Sequence, residues 1–439
     1  MADTPRILYA ISDTGGGHRS GATAIDAAVE QQVGAAVERQ IVDILAITGT
    51  PFIRDAPDLY DQLSTRWLPI YDFLYRATDG RRRIEVLTEL VYLQAHHNVL
   101  QVLKEFRPNL VVSTHPLSTR LIAYARRSYR LPFRFMSVVT DLVSLHAAHA
   151  ERTVDLCVVP TDEAYQRQRA GGMLATKLVR TGFPVHPKFP AYTGSQAEAR
   201  ATLNVSPAPF TVLVTSGGVG SGNLRTIVLA LAQTYPQLQF LVVTGKNAPL
   251  RQALQELHLP NVHVFGFVNN MEVLMAASDL IVTKAGPGTL MEALVMRRPV
   301  IVTEAVGMQE QGNIDYVLNH EIGLFCPTVA RMIPAVAEFL QPEVYAATVQ
   351  RLKKEVTRDG AAEIAQIVLD QLELAPPMLR RRWLPTMGNL RRPQGRAFRR
   401  RAAAVGSRLR LSARRLRRPH PRRPLLRWQR HVKPNKAGR

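Results

Sequence analysis

Two glycine-rich stretches of the sequence carry residues able to hold an anion or move a proton. In the first, Ser12-Asp13-Thr14-Gly15-Gly16-Gly17-His18 sets three glycines between an apolar run and a helical pattern. Gly16 and Gly17 let backbone N–H groups close on a bound anion, and a helix start behind them favours negative charge. His18 at that start projects toward a cleft, where an imidazole near its reference pKa of about 6.5 accepts a proton at neutral pH. The plainer role of the same side chain is a cap or a hydrogen-bonding partner.

The second stretch, Thr283-Lys284-Ala285-Gly286-Pro287-Gly288-Thr289-Leu290-Met291-Glu292, follows another apolar run and opens another helix. Gly286 and Gly288 clear the approach, Pro287 presets the backbone and Thr289 adds a hydroxyl at the helix N-terminus. Glu292 lies about one turn further in, placed to accept hydrogen bonds from a ribose diol. Neither GxxxxGK[ST] nor a standard GxGxxG is present, which argues against a nucleoside triphosphate hydrolase and a dehydrogenase. Gln309-Glu310-Gln311-Gly312-Asn313 adds amides and a carboxylate that could read sugar hydroxyls; taken alone, such a stretch is also ordinary solvated loop.

The elements that must position these residues follow an α/β pattern. An apolar run at 6–12 gives way to the glycine loop and a helical stretch from Ser20 to about Gln32, and strand patterns recur at 110–113, 135–139 and 156–159. After a Pro-, Gly- and Ser-rich break at 182–209 the order restarts at 210–215 with SGGVGSGN and continues through 240–243, 262–264, 280–282 and 300–302. Two doubly wound domains, 1–189 and 208–375, are expected, with a separate tail at 376–439.

Charge distribution sets that tail apart. The 439 residues carry a formal charge of +21, yet 376–439 holds 22 Lys or Arg and no acid, leaving 34 basic against 35 acidic groups in 1–375. Trp383, Leu384, Leu409, Leu411 and Trp428 are interleaved with the arginines. Such a tail fits nucleic-acid phosphates, an anionic bilayer or a solvated extension. A second patch, 50–80, packs Phe52, Tyr60, Trp67, Tyr71, Phe73 and Tyr75 before Arg81, Arg82 and Arg83, and reads either as a membrane-facing surface or as a cap on the core. No run of 18 apolar residues and no signal-peptide design is present. Cys157 and Cys326, far apart, form no disulfide framework, so the chain reads as cytoplasmic, neither integral nor secreted. His146 and His149 lack Cys or carboxylate partners at ligand spacing, and no metal site is expected.

SDTGGGHRSGA, THPLS at 114–118, TDLVSLH at 140–146, the stretch GFVNNMEVLMAASDLIVTKAGPGTLMEAL from Gly266, and QEQGN together resemble the monogalactosyldiacylglycerol synthases and the bacterial processive diacylglycerol glucosyltransferases, over residues 6–372. These are similar to the peptidoglycan N-acetylglucosaminyl transferase. The resemblance implies a GT-B fold, two facing Rossmann-like domains with a cleft between them, and an inverting transfer from UDP-galactose or UDP-glucose to diacylglycerol. It assigns catalysis to His18 and Glu310, and acceptor-side contacts to Asp13, Gly16, Gly17, His115 and Pro116. On the donor side it assigns Gly217, Gly218 and Gly220 near the diphosphate, Gly245 as a further substrate contact, and Phe267 and Val268 as a wall for uracil. The rest of the donor set is Gly286, Pro287, Gly288, Thr289, the ribose contact Glu292, and Gln309, Gln311 and Asn313 around the hexose. Met308 stands where the family usually has a glycine, and His149 and Ala150 stand where plant members carry a tryptophan. The implied partners are a UDP-hexose, diacylglycerol and an anionic membrane surface, with no cofactor, no metal and no specific nucleic acid. An isoprenoid-linked cell-wall acceptor is the alternative within enzymes, and nucleic-acid binding through the tail is the alternative outside them.

Overall fold

Segments such as Leu110–Ser113 and Thr211–Thr215 are buried at every position. Neither face of the sheets they form meets water, the condition under which parallel strands joined by covering helices are found. The computed structural model describes residues 4–14, 16–49, 67–215, 223–305 and 307–375, and these build two such sheets. The first contains β1 (Arg6–Ile11), β2 (Glu38–Asp43), β3 (Leu110–Ser113), β4 (Arg134–Val138), β5 (Leu156–Val159) and β6 (Leu178–Arg180) in the order β2-β1-β3-β4-β5-β6. The second contains β7 (Thr211–Thr215), β8 (Gln239–Val243), β9 (Val262–Phe265), β10 (Leu280–Thr283), β11 (Val300–Val302) and β12 (Gly323–Phe325) in the order β12-β11-β10-β7-β8-β9.

All pairings are parallel; in the first sheet Tyr9 stands opposite Ile41 on one side and Val112 on the other. In each sheet the winding reverses once, between β1 and β3 and between β7 and β10. Crossover helices leave on opposite faces there, opening a crevice at the carboxyl ends of the strands. Both chemistry-bearing loops emerge at these points, Ser12–His18 after β1 and Lys284–Gly286 after β10.

Helices supply the covering layers. Ile7, Tyr9 and Ile11 pack under Ala22, Ile25 and Val29 of the helix Gly17–Val33, while Leu8, Val111 and Phe135 on the opposite face meet Ala95, Val99 and Leu103 of Arg81–Phe106. Each Val, Leu, Ile or Phe side chain among them contributes about 1.5–3 kcal/mol on full burial. Ala361, Ile364, Ala365 and Val368 of the last described helix, Gly360–Glu373, join the same core as Ile7 and Tyr9. Sequence periodicity grouped this helix with the second domain; the chain instead crosses back onto the first sheet. The crossing relies on glycine at both partners, since a Cβ on Gly182 would lie 2.9 Å from Cα of Gly360, and Glu363 accepts from the Gly182 N–H at 3.0 Å.

Candidate active site

His18 is the second residue of the helix Gly17–Val33, whose N-cap is Gly16 and which has no side-chain cap. Its ring is buried, with Nδ1 2.9 Å from both the Thr114 carbonyl oxygen and Thr140 Oγ1. A carbonyl only accepts, so Nδ1 carries the proton and Nε2 presents a lone pair. Burial holds the imidazole below its ordinary range; Asp141 opposes that shift and His149 adds to it. The result is a neutral ring with a fixed tautomer, the state a general base requires.

His115, edge-on to His18 with ring centroids 4.8 Å apart, has the opposite tautomer. It caps the helix Pro116–Tyr129, where its Nδ1 accepts from the Ser118 N–H at 3.3 Å, so its proton is on Nε2, 3.3 Å from Thr14 Oγ1. Burial holds His115 well below its usual range, and His18 and His149 push the same way. This imidazole ties the glycine loop to the end of β3. Pro116 begins the helix it caps.

A carboxylate that the sequence reading did not place in the site stands beside the histidines. Asp141, just beyond β4, is buried, with Oδ2 2.9 Å from His149 Nε2 and Oδ1 accepting from Gln309 Nε2 at 3.3 Å. Burial by itself would raise this acid; the hydrogen bond and charge of His149, with His18 and Gln309, outweigh it and hold Asp141 below the usual carboxylate range. Asp141, eight residues upstream, is thus the hydrogen-bond partner of His149. Gln309 belongs to the helix Gly307–Asn319, and its Oε1 accepts from Tyr71 O–H at 2.7 Å. Tyr71 lies on the helix Leu68–Thr78, whose Asp72 also accepts from the Met308 N–H at 3.0 Å.

The facing side is built on the second sheet. The helix Pro287–Val295 starts at Gly286 and Pro287 with no side-chain cap, so its first N–H groups and its dipole point at the crevice. Two helix starts meet here: a Cβ on Gly17 would sit 3.4 Å from Pro287 Cγ, and one on Gly288 3.5 Å from Ser20 Oγ. A Cβ on Gly286 would lie 3.6 Å from Glu310 Oε1, which places Glu310 at the mouth of the same loop. Thr289 is half-buried at this helix start. Burial drives Glu292 up to about 7, with Lys188 opposing and Glu272 adding. Phe267 is 60% exposed with Lys246 Nζ 6.0 Å from its ring centre, next to Gly245 in a left-handed turn at φ 59°. Val268, by contrast, packs into the second sheet's core.

Other expected residues are committed elsewhere. Asp13 is exposed and held by Arg19 at 2.7 Å. Gln311 is exposed, and buried Asn313 donates to the Ala285 carbonyl at 2.7 Å, fastening the Lys284–Gly288 loop from beneath. Gly217, Gly218 and Gly220 lie outside the described residues, as do the basic tail, Phe52 and Tyr60. Among the described residues no group of His, Cys, Asp and Glu side chains could hold a metal ion, and no helix is long and apolar enough to cross a membrane.

Two parallel sheets whose crevices face each other, with a neutral histidine on one side and an uncapped helix start on the other, define a glycosyltransferase of the GT-B class. Solved structures share the fold: MurG of Acinetobacter baumannii, 13% identical, matches with a TM-score of 0.57 over 83% of this chain and 100% of its own, and the calicheamicin glycosyltransferase CalG4, 14% identical, with 0.54 over 85% and 100%. Residues 18–185 match the monogalactosyldiacylglycerol (MGDG) synthase family model, and 211–311 match the glycosyltransferase family 28 C-terminal domain. A probable chloroplastic monogalactosyldiacylglycerol synthase of Glycine max is 31% identical over 382 residues, 84% of this chain and 71% of that one. Monogalactosyldiacylglycerol synthase 1 of Arabidopsis thaliana is 31% identical over 354 residues, 78% and 66% of the two chains. The chain belongs to the monogalactosyldiacylglycerol synthase family.

Proposed function

We propose that this enzyme transfers a hexose from UDP-galactose or UDP-glucose to the free hydroxyl of diacylglycerol, with inversion at the anomeric carbon. The carrying observation is His18, neutral with Nδ1 bound to the Thr114 carbonyl and Nε2 left to take a proton, at the winding reversal of the first sheet. His18 Nε2 removes the proton of the acceptor hydroxyl; that oxygen bonds to the anomeric carbon as the bond to UDP breaks, giving a β-hexosyldiacylglycerol. The imidazolium formed is stabilised by the buried Asp141 carboxylate, whose charge favours the protonated ring. Charge developing on UDP is met by the backbone N–H groups and dipole of Pro287–Val295.

In this reading the first sheet, with Gly16, Gly17, His115 and Pro116, frames the acceptor. Gly245, Phe267, Gly286, Gly288, Thr289 and Glu292 hold UDP, and Gln309 and Glu310 hold the hexose.

Access for the lipid is supported by the helix Leu68–Thr78. On it Tyr71 bonds Gln309 and Tyr75 packs edge-on against His146, while Phe73, with Ile70, Leu74 and the preceding Trp67, is exposed at 46–66% and followed in the chain by Arg76 and Arg81–Arg83. This face suits an anionic membrane surface, with the protein peripheral on the cytoplasmic leaflet. Purified protein incubated with diacylglycerol liposomes and either UDP-sugar should yield hexosyldiacylglycerol by mass spectrometry, and His18→Ala should abolish it. UDP binding without product from either donor would overturn the diacylglycerol assignment and send the search to isoprenoid acceptors.

A further inference from the structure

We infer that Tyr71 and Asp141, both carried by the acceptor side, decide which hexose the donor side prefers, by locking the amide of Gln309 in one orientation. The inference rests on the reading of Gln309 as a hexose contact. An amide can present its oxygen and nitrogen in either of two flips, and a sugar hydroxyl meets a donor in one and an acceptor in the other. Asp141 settles the choice. Its carboxylate only accepts, so Gln309 must turn Nε2 toward Oδ1, at 3.3 Å, and the reversed flip would set oxygen against oxygen. Asp141 stays ionised because His149 donates to its other oxygen at 2.9 Å. Tyr71 completes the lock by donating its O–H to Gln309 Oε1 at 2.7 Å. Each end of the amide then retains one further valence, an N–H and a lone pair in fixed directions.

Hexoses that differ in one hydroxyl's configuration present that hydroxyl to one of these two valences and not to the other. The groups that fix them are on the helix Leu68–Thr78 and the loop after β4, across the crevice from the donor helix. A tight seam keeps the two sides in register: a Cβ on Gly312 would lie 2.7 Å from the Ser144 backbone nitrogen. Donor choice is thus a property of the assembled cleft.

The test compares kcat/KM for UDP-galactose and UDP-glucose in the full-length protein and in Tyr71→Phe and Asp141→Asn. Tyr71→Phe removes one hydroxyl and leaves His18 untouched; any effect of Asp141→Asn on the base cancels in the donor ratio. The unmodified enzyme should prefer one donor, and each variant should narrow that preference by roughly five- to tenfold, the scale of one hydrogen bond. In Tyr71→Phe the hexose-donor KM rises while the diacylglycerol KM and the affinity for UDP alone stay constant. An unmodified ratio near one, a ratio unchanged in both variants, or a loss of UDP affinity in Tyr71→Phe would overturn the proposal. Transfer from neither donor by the unmodified protein would instead remove the functional reading beneath it.

Discussion

The two sheets present the same device, a strand at a winding reversal followed by glycines and an uncapped helix start, yet their titratable groups shift in opposite directions. On the first side His18 and His115 are pushed below the usual histidine range; on the second Glu292 is pushed up to about 7. One cause explains both, because burial penalises the charged form, which is the protonated form of an imidazole and the ionised form of a carboxyl. The exception is Asp141, which has a donor on each oxygen and remains charged. Of these four groups the two imidazoles and Glu292 follow burial, and Asp141 alone is held on its charged side by its partners.

The largest effect should come from the first side. His18→Ala should cut turnover by about 10²- to 10⁴-fold, the contribution of a general base, with UDP affinity measured by calorimetry unchanged. A parallel loss of UDP affinity would break the division of labour between the sheets. Next, Glu292→Gln should raise the UDP-sugar KM about tenfold, since an ionised carboxylate accepts two bonds from a ribose diol and a carboxamide oxygen accepts less strongly.

The two sides are also separable by pH. Glu292 loses its charge as pH falls through about 7, so the donor KM of the unmodified enzyme should rise from there downward, and this rise should vanish in Glu292→Gln. His18 is protonated only below its ordinary range, so turnover at saturating donor should hold until lower pH. Coincident acid limbs in initial-rate profiles would refute the opposed shifts.

Smaller effects test what joins the sides. Gly312→Ala forces Ser144 backbone away from the helix Gly307–Asn319 and should destabilise the protein by about 1–3 kcal/mol, read as a lowered unfolding midpoint. His115→Ala removes a helix cap worth about 1 kcal/mol and loosens Thr14, and calorimetry should show the smallest stability loss of the set.

Most strands were legible because their runs are apolar on both faces: 110–113, 156–159 and 300–302 coincide with β3, β5 and β11. The strands missed, β2, β6 and β12, lie at sheet edges, where one side lacks a partner strand; in β2 and β6 residues such as Glu38, Gln40 and Arg180 meet solvent. β2 and β6 thereby lose the continuous hydrophobic signal, and β12 has only the three residues Gly323–Phe325 to give one. The site was legible where chemistry demands contiguous residues, as in the Gly16–His18 and Gly286–Thr289 loops.

By itself the sequence determined the two-sheet α/β architecture and the position of both glycine loops at helix starts, with His18 at the first of them, because these depend on local pattern and residue type. Tertiary structure decided the rest. Asp141 becomes the partner of His149 and Gln309, Tyr71 reaches a glutamine 238 positions away, and the last helix returns to the first sheet. Contacts between segments remote in sequence leave no periodicity to read; they exist only once burial has brought both sheets together and the buried polar groups have had to find partners.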